Sequence, residues 1–125
     1  MKAVCIAVAL CLPLVPLTAA AQAANPWDGT WKVSFKTERG IDRDGTVTVA
    51  GSAGSWDLNV AQRSDPCAGR AYPIEVQQAT AEQLVFKVMR STALAGCQDN
   101  TMRLKPTDAN TLEGTFLTRP FKMTR

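Results

Sequence analysis

The sequence predicts an all-β protein, an antiparallel up-and-down meander that closes into an eight-stranded barrel. Apolar and polar residues alternate with a period of two along short segments, which is the pattern of half-buried strands. Gly, Pro, Asn and Asp residues separate these segments and predict turns, most of them tight. An open sheet of this length would leave exposed edges, which closure into a barrel removes. A β-sandwich is the alternative architecture.

The first half of the chain predicts three strands. Segment 30–37 alternates cleanly, and its apolar face carries Trp31, Val33 and Phe35. Segment 38–45 is predicted as a turn, because it contains Gly40 and ends in the dipeptide Asp44-Gly45. Segments 46–51 and 55–62 then alternate again, the first around two valines and the second around a Trp, a Leu and a Val.

The second half predicts five more strands and two long loops. Segment 63–73 is predicted to be irregular, because its Pro and Gly residues disfavour ladder pairing. The second long loop is segment 91–100, between the fifth and sixth strands. The five strands are predicted at 74–78, 84–90, 101–106, 111–118 and 120–125.

The first 23 residues have the pattern of a bacterial signal peptide. A basic start precedes an apolar run, 3–17, that is short and interrupted by Pro for a membrane span. Ala21-Gln22-Ala23 matches the A-x-A cleavage pattern, so residues 24–125 are predicted to form a single domain. Cys11 follows Leu10 rather than a small residue, which argues against lipid attachment. The predicted location is the periplasm or the exterior, with an uncleaved anchor as the alternative.

Cleavage leaves two cysteines, Cys67 and Cys97, which allow one pairing. In an oxidising compartment we expect a structural disulfide, which would close a loop of about thirty residues and stabilise the fold by roughly 3–4 kcal/mol. The alternatives are a redox pair or half of a metal site. Neither Cys lies in a C-x-x-C motif, and the chain contains no His.

The composition argues against several kinds of chemistry. The absence of His excludes Ser-His-Asp and Cys-His catalysis and leaves only rarer Lys-based forms. Asp42–Gly45 resembles a fragment of a calcium loop, but the later ligands are missing, and we interpret it as a hairpin turn. The net charge of +3 falls to +2 without Lys2, which is too low to predict a nucleic-acid partner. We expect no enzymatic activity, no metal and no cofactor.

Gly29-Thr30-Trp31, at the start of the first strand, is a G-x-W triplet. This triplet and the strand count resemble the calycin superfamily, the lipocalin and avidin type of small secreted barrel. The resemblance implies that the Trp closes one end of the barrel and that a basic residue near the end of the chain packs across its ring. Arg119 and Arg125 are the candidates, and Arg125 is favoured because it shares the apolar face of the last strand.

The functional prediction is a non-enzymatic binding or carrier protein for a small ligand. We expect the ligand to bind at the barrel end opposite Trp31, near the two long loops. The candidate binding residues are Tyr72, as an exposed recognition aromatic, with Arg63, Arg70, Arg90 and Trp56. The alternative is an inhibitor or immunity-type protein that blocks a cell-envelope enzyme with its disulfide-tied loops. The expected partners are a small molecule or an envelope protein, with no membrane span after cleavage and a monomeric or small homo-oligomeric state.

Overall fold

The structure is a computed structural model that describes residues 11–14, 25–61, 63 and 65–125 of the 125-residue chain. Most of the predicted leader and its cleavage site therefore lie outside the described residues. All the regular structure within those residues is β-strand or turn. No helix in the described ranges is long and apolar enough to cross a membrane.

Eight antiparallel strands close into a single barrel, which confirms the predicted fold class. Each strand pairs with the next in the chain, and the last strand, β8, returns to pair with β1. The strands are β1 (Gly29–Lys36), β2 (Asp42–Ala50), β3 (Ala53–Leu58), β4 (Tyr72–Thr80), β5 (Gln83–Val88), β6 (Asn100–Asp108), β7 (Thr111–Phe116) and β8 (Arg119–Thr124).

Successive connections alternate between the two ends of the barrel, because every strand runs antiparallel to its neighbours. One end, called here the Trp31 end, contains the chain entry and three tight turns, at 51–52, 81–82 and 109–110. The other, called the disulfide end, contains the two long loops, 59–71 and 89–99, and the turns at 37–41 and 117–118. The long loops are thus brought to one end by the topology.

Nearly every strand boundary differs from the sequence prediction, by one to four residues, and two of these differences concern residues discussed below. β2 begins at Asp42 rather than Thr46, because the ladder with β1 continues to Lys36↔Asp42, where the two side chains form an ion pair at 2.5 Å. β4 begins at Tyr72, inside the segment predicted to be irregular. Pro73 is tolerated there, and its carbonyl accepts the N–H of Met89 at 3.0 Å.

Large side chains fill the barrel interior. The largest of those that are almost completely buried are Trp31, Trp56, Tyr72, Phe86 and Phe121. Alternation places these residues on the inner face and the charged residues of the same strands outside. One charged residue in the described chain is an exception: Arg90, just after β5, is buried and only 7% exposed.

Gly114 in β7 allows a close approach between strands. A Cβ at this position would lie 2.2 Å from the carbonyl oxygen of Arg103, which is too short for any side chain. The register shift, or bulge, in this strand pair lies elsewhere, between Pro106 and Asp108 of β6. The glycine therefore serves the packing of β7 on β6 and not the bulge itself.

Candidate ligand site at the disulfide end

The rings of Trp27 and Trp31, tilted by 56° to one another, and a C-terminal arginine close the Trp31 end. The guanidinium carbon of Arg125 lies 4.4 Å from the centre of the Trp31 ring and 6.0 Å from that of Trp27. The Trp31 Nε1–H donates to the carbonyl of Trp27 at 2.9 Å, and the Trp27 Nε1–H donates to the carbonyl of Thr80 at 2.7 Å. Both indole donors are therefore satisfied, and the rings are held in place.

Arg125 also connects the C-terminus of the chain to the segment that precedes β1, through hydrogen bonds. Its guanidinium donates to the carbonyl oxygens of Asp28 at 3.0 Å, Pro26 at 3.3 Å and Ala109 at 3.0 Å. Gly29 has φ +135°, and a Cβ there would lie 3.8 Å from Nη1 of Arg125. The G-x-W glycine is thus needed for its backbone conformation, next to the arginine that covers the Trp.

Arg119, the other candidate to cover Trp31, lies at the disulfide end. It starts β8 and donates from Nη2 to the carbonyl of Glu38 at 3.1 Å. β8 runs from one end of the barrel to the other, with Arg119 at its start and Arg125 just after its last residue. The two arginines therefore cannot contact the same ring. Of the two, only Arg125 contacts Trp31.

A disulfide between Cys67 and Cys97 ties the two long loops together, as the sequence predicted. Cys97 is buried, and the Tyr72 hydroxyl donates to its Sγ at 4.0 Å. Asp65 orders the first loop, because its Oδ1 accepts the backbone N–H groups of Cys67 at 3.0 Å and Ala68 at 3.3 Å. The disulfide end is consequently bounded on one side by a cross-linked loop pair.

A cavity of about 310 Å³ opens at this end. Its apolar wall includes Phe35, Leu58 and Phe116, and its polar wall includes Arg90 and Asn100. An adjoining cavity of about 380 Å³ shares part of this wall and extends to the turns at 37–41 and 117–118. Volumes of about 300 Å³ and above are in the range of small-molecule sites.

Arg90 lies among aromatic rings in the wall of this cavity. Its guanidinium carbon is 5.5 Å from the ring centre of Trp56, 5.8 Å from that of Tyr72 and 5.7 Å from that of Phe116. Its Nη1–H donates to Oδ1 of Asn100. Burial lowers the pKa of the Arg90 guanidinium below its usual value, an effect opposed by the field of nearby acidic groups.

A second arginine, Arg43, also lines this cavity. Neither Arg90 nor Arg43 forms an ion pair within the described part of the chain. The two ion pairs found there join Lys36 to Asp42 and Lys87 to Asp99. A buried guanidinium without a carboxylate partner is uncommon, because desolvation of a charge is costly unless another group compensates for it. Two arginines and one aspartate, Asp65, line the cavity, so its lining carries an excess of positive charge.

Arg43 is the second arginine of the cavity, and the sequence reasoning missed it. It lies opposite Phe35 in the β1–β2 ladder and lines both cavities. The prediction placed it in a turn, whereas it belongs to β2. The alternation of Val49 and Val47, extended backwards through Gly45, reaches Arg43 and could have identified it as an inward-facing residue.

Tyr72 is not the exposed recognition aromatic that the sequence predicted. It is 1% exposed, because it lies in β4 opposite Trp56 and on the inner face with Ile74. Trp56 is fully buried, and its Nε1–H has no hydrogen-bond partner among the described residues. These two rings pack against Arg90 from within the core and support the cavity wall.

Arg63 and Arg70 are both exposed residues of the first long loop. Neither lines the two cavities. The structure therefore brings Arg90 together with Trp56 and Tyr72, and leaves the other two predicted arginines on the outer surface of the loop.

A wider groove of about 800 Å³ lies across β1, β2, β7 and β8. Its charged residues are of both signs: the exposed Lys36, Asp42, Asp44, Glu113 and Lys122, and the half-buried Arg43. Because Lys36 pairs with Asp42 and Glu113 lies opposite Lys122 in the ladder, the groove has no clear excess of either charge. It offers less chemical selectivity than the cavity at Arg90.

No protein-family model, curated protein or solved structure matches this chain significantly. Within the described ranges, no three His, Cys, Asp or Glu side chains lie close enough together to hold a metal ion. The functional argument therefore depends on the geometry of the cavity itself.

Proposed function

We propose that the protein is a non-enzymatic, calycin-like binding protein for a small ligand, acting in the periplasm or outside the cell. The observation that carries the proposal is the cavity of about 310 Å³ at the disulfide end, with buried Arg90 in its wall. A concave apolar site with a few convergent polar groups is the usual form of a small-molecule site. The leader pattern supports the location.

The size of the cavity limits the ligand. Because the interior is filled with large side chains, the ligand occupies the mouth of the barrel and not a deep central chamber. At about 30 Å³ of liquid volume per water molecule, 310 Å³ corresponds to roughly ten non-hydrogen atoms. The proposal is therefore a carrier or sensor of a small metabolite rather than of a long lipid.

A cavity-filling variant tests this function. Ala68 lines the cavity, so Ala68→Phe should block it, whereas Ala53→Phe at the Trp31 end is the matched control. Wild type and both variants are screened against a diverse small-molecule library by thermal shift, and hits are confirmed by calorimetry. We expect binding in wild type and in the control, and its loss in Ala68→Phe. Failure to find any ligand, or equal binding by all three proteins, would contradict the proposal.

The alternative is an inhibitor or immunity-type protein that acts on an envelope enzyme. It is favoured by two exposed apolar residues at the disulfide end, Ile41 and Leu117, which are 46% and 66% exposed. Leu117 also has φ +56°, a conformation that non-Gly residues adopt rarely and often at functional sites. A purified envelope enzyme that is inhibited by wild type but not by Leu117→Asp, with no small-molecule binding, would favour this alternative.

A further inference from the structure

We infer that the cavity at the disulfide end selects a small organic carboxylate, whose charged group pairs with Arg90 while its apolar body lies against Phe35 and Phe116. This inference depends on the proposed small-ligand function and names the chemical class of the ligand.

The first argument is charge. Arg90 and Arg43 both line the cavity, and neither forms an ion pair within the described residues. Asp65 lines the cavity as well, but its Oδ1 accepts two backbone N–H groups. Asp99 accepts from Ser91 and lies 3.7 Å from Lys87. Asp65 and Asp99 act on Arg90 through their field but form no ion pair with it, so an anionic ligand would supply the direct partner that the guanidinium lacks among the described residues.

The second argument is the balance of donors and acceptors. A guanidinium has five N–H donors. In Arg90 one of these donors, at Nη1, has an acceptor in the described chain, which is Oδ1 of Asn100. The region thus has surplus donors, which match a ligand group that only accepts. A carboxylate fits a guanidinium well, because its two oxygens can accept parallel hydrogen bonds.

The third argument is the apolar wall. The rings of Phe35 and Phe116 lie 5.1 Å apart between centres, and Leu58 and Leu117 line the same cavity. Leu117 is largely exposed, so a ligand body placed there would remove its side chain from water. An inorganic anion would leave this apolar wall exposed to water. A ligand with both an acidic group and an apolar body would contact the polar wall and the apolar wall together.

Matched pairs of ligands test the charge directly. Wild-type protein with its disulfide intact is titrated with cinnamate, phenylacetate and hexanoate, and with the neutral amide of each, by calorimetry and Trp fluorescence. Acetate and inorganic phosphate alone are the probes for charge without an apolar body. We expect each carboxylate to bind at least tenfold more tightly than its amide, and more tightly than acetate or phosphate. The carboxylate affinity should also fall as salt is added.

Arg90→Met tests the residue, and Arg70→Met, in an exposed loop position that lines neither cavity, is the control. Replacement of a buried charge by an apolar side chain of similar length is compatible with folding. We expect Arg90→Met to weaken carboxylate binding at least tenfold and amide binding by a smaller factor, while the control resembles wild type. Arg43→Met should weaken carboxylate binding by a smaller factor.

The outcomes separate this inference from the proposed function. Equal affinity for carboxylates and amides, or carboxylate binding that Arg90→Met leaves unchanged, would overturn the inference and leave a small-ligand site in place. Tighter binding of inorganic phosphate than of any carboxylate would also overturn it. If no member of the panel or the wider library binds, the proposed function fails as well.

Discussion

The guanidinium of Arg125 lies over the Trp31 ring at 4.4 Å, so the last residue of the chain covers the first aromatic residue of the first strand. The same guanidinium donates to three backbone carbonyls, two in the chain entry and one in the β6–β7 turn. This contact joins the two chain ends of the domain and closes the barrel end opposite the proposed ligand site. Loss of this contact should lower the stability of the fold and leave ligand binding unchanged.

Arg125→Ala should lower the free energy of unfolding by about 1–3 kcal/mol, because it removes the stacking on Trp31 and the three hydrogen bonds. Arg125→Lys should lower it by less, since it keeps the charge but lacks the planar guanidinium. Arg119→Ala is the control from the other end of β8, where one hydrogen bond is lost, and should change stability by no more than about 0.5 kcal/mol. Urea denaturation measures all three. Equal losses for Arg125→Ala and Arg119→Ala would contradict this account.

Removal of the disulfide by the double variant Cys67→Ser, Cys97→Ser should lower the free energy of unfolding by about 3–4 kcal/mol, because the bond closes a loop across a separation of 30 residues. Equilibrium unfolding of the variant, compared with the oxidised wild type, gives the difference. Intact mass under non-reducing conditions checks the starting point, since the oxidised protein lacks two hydrogens. Two free thiols in the purified protein would show that the loops are not tied.

Trp56→Phe should be less destabilising than Trp31→Phe by about 1–3 kcal/mol. Both side chains are fully buried, so the two changes remove similar volume. The Trp31 Nε1–H donates to Trp27, whereas the Trp56 Nε1–H has no partner in the described chain. The first change therefore leaves a carbonyl unpaired, and the second removes an unpaired donor. Thermal and urea unfolding of both variants decide the order, and the reverse order would mean that the Trp56 donor is satisfied in solution.

Asp99 should make the protein less stable in acid. Hydrogen bonds from Ser91, chiefly the backbone N–H, hold the pKa of this carboxyl below its usual value, with a smaller contribution from Lys87. The stabilisation is present above the unfolded pKa of about 4 and is lost as the pH falls through the lower folded value. Unfolding measured between pH 7 and pH 2 should show this loss in wild type and a flatter profile in Asp99→Asn. Asp57→Asn, on the exposed face of β3, is the control and should retain the wild-type profile.

Much of the fold could be predicted from local patterns. Alternation identified all eight strands, and the count of cysteines after the predicted cleavage was enough to pair Cys67 with Cys97. These inferences succeed because side-chain direction along a strand is a property of the strand itself. Strand ends were less accurate, since Asp42 and Tyr72 join their ladders only because a neighbouring strand is there to pair with them.

The candidate site depended on long-range contacts. Arg90 is the last residue of the predicted fifth strand, next to a long loop, and nothing nearby in the chain shows that Trp56 and Phe116 will surround its guanidinium. Arg43 was hidden by a turn signal, and Tyr72 by the prolines and glycine around it. Local alternation and cysteine count thus suffice for an eight-stranded, disulfide-linked β-protein. Burial of one arginine at the mouth of a filled barrel arises only when strands distant in the chain close on one another, because burial depends on neighbours that no single segment contains.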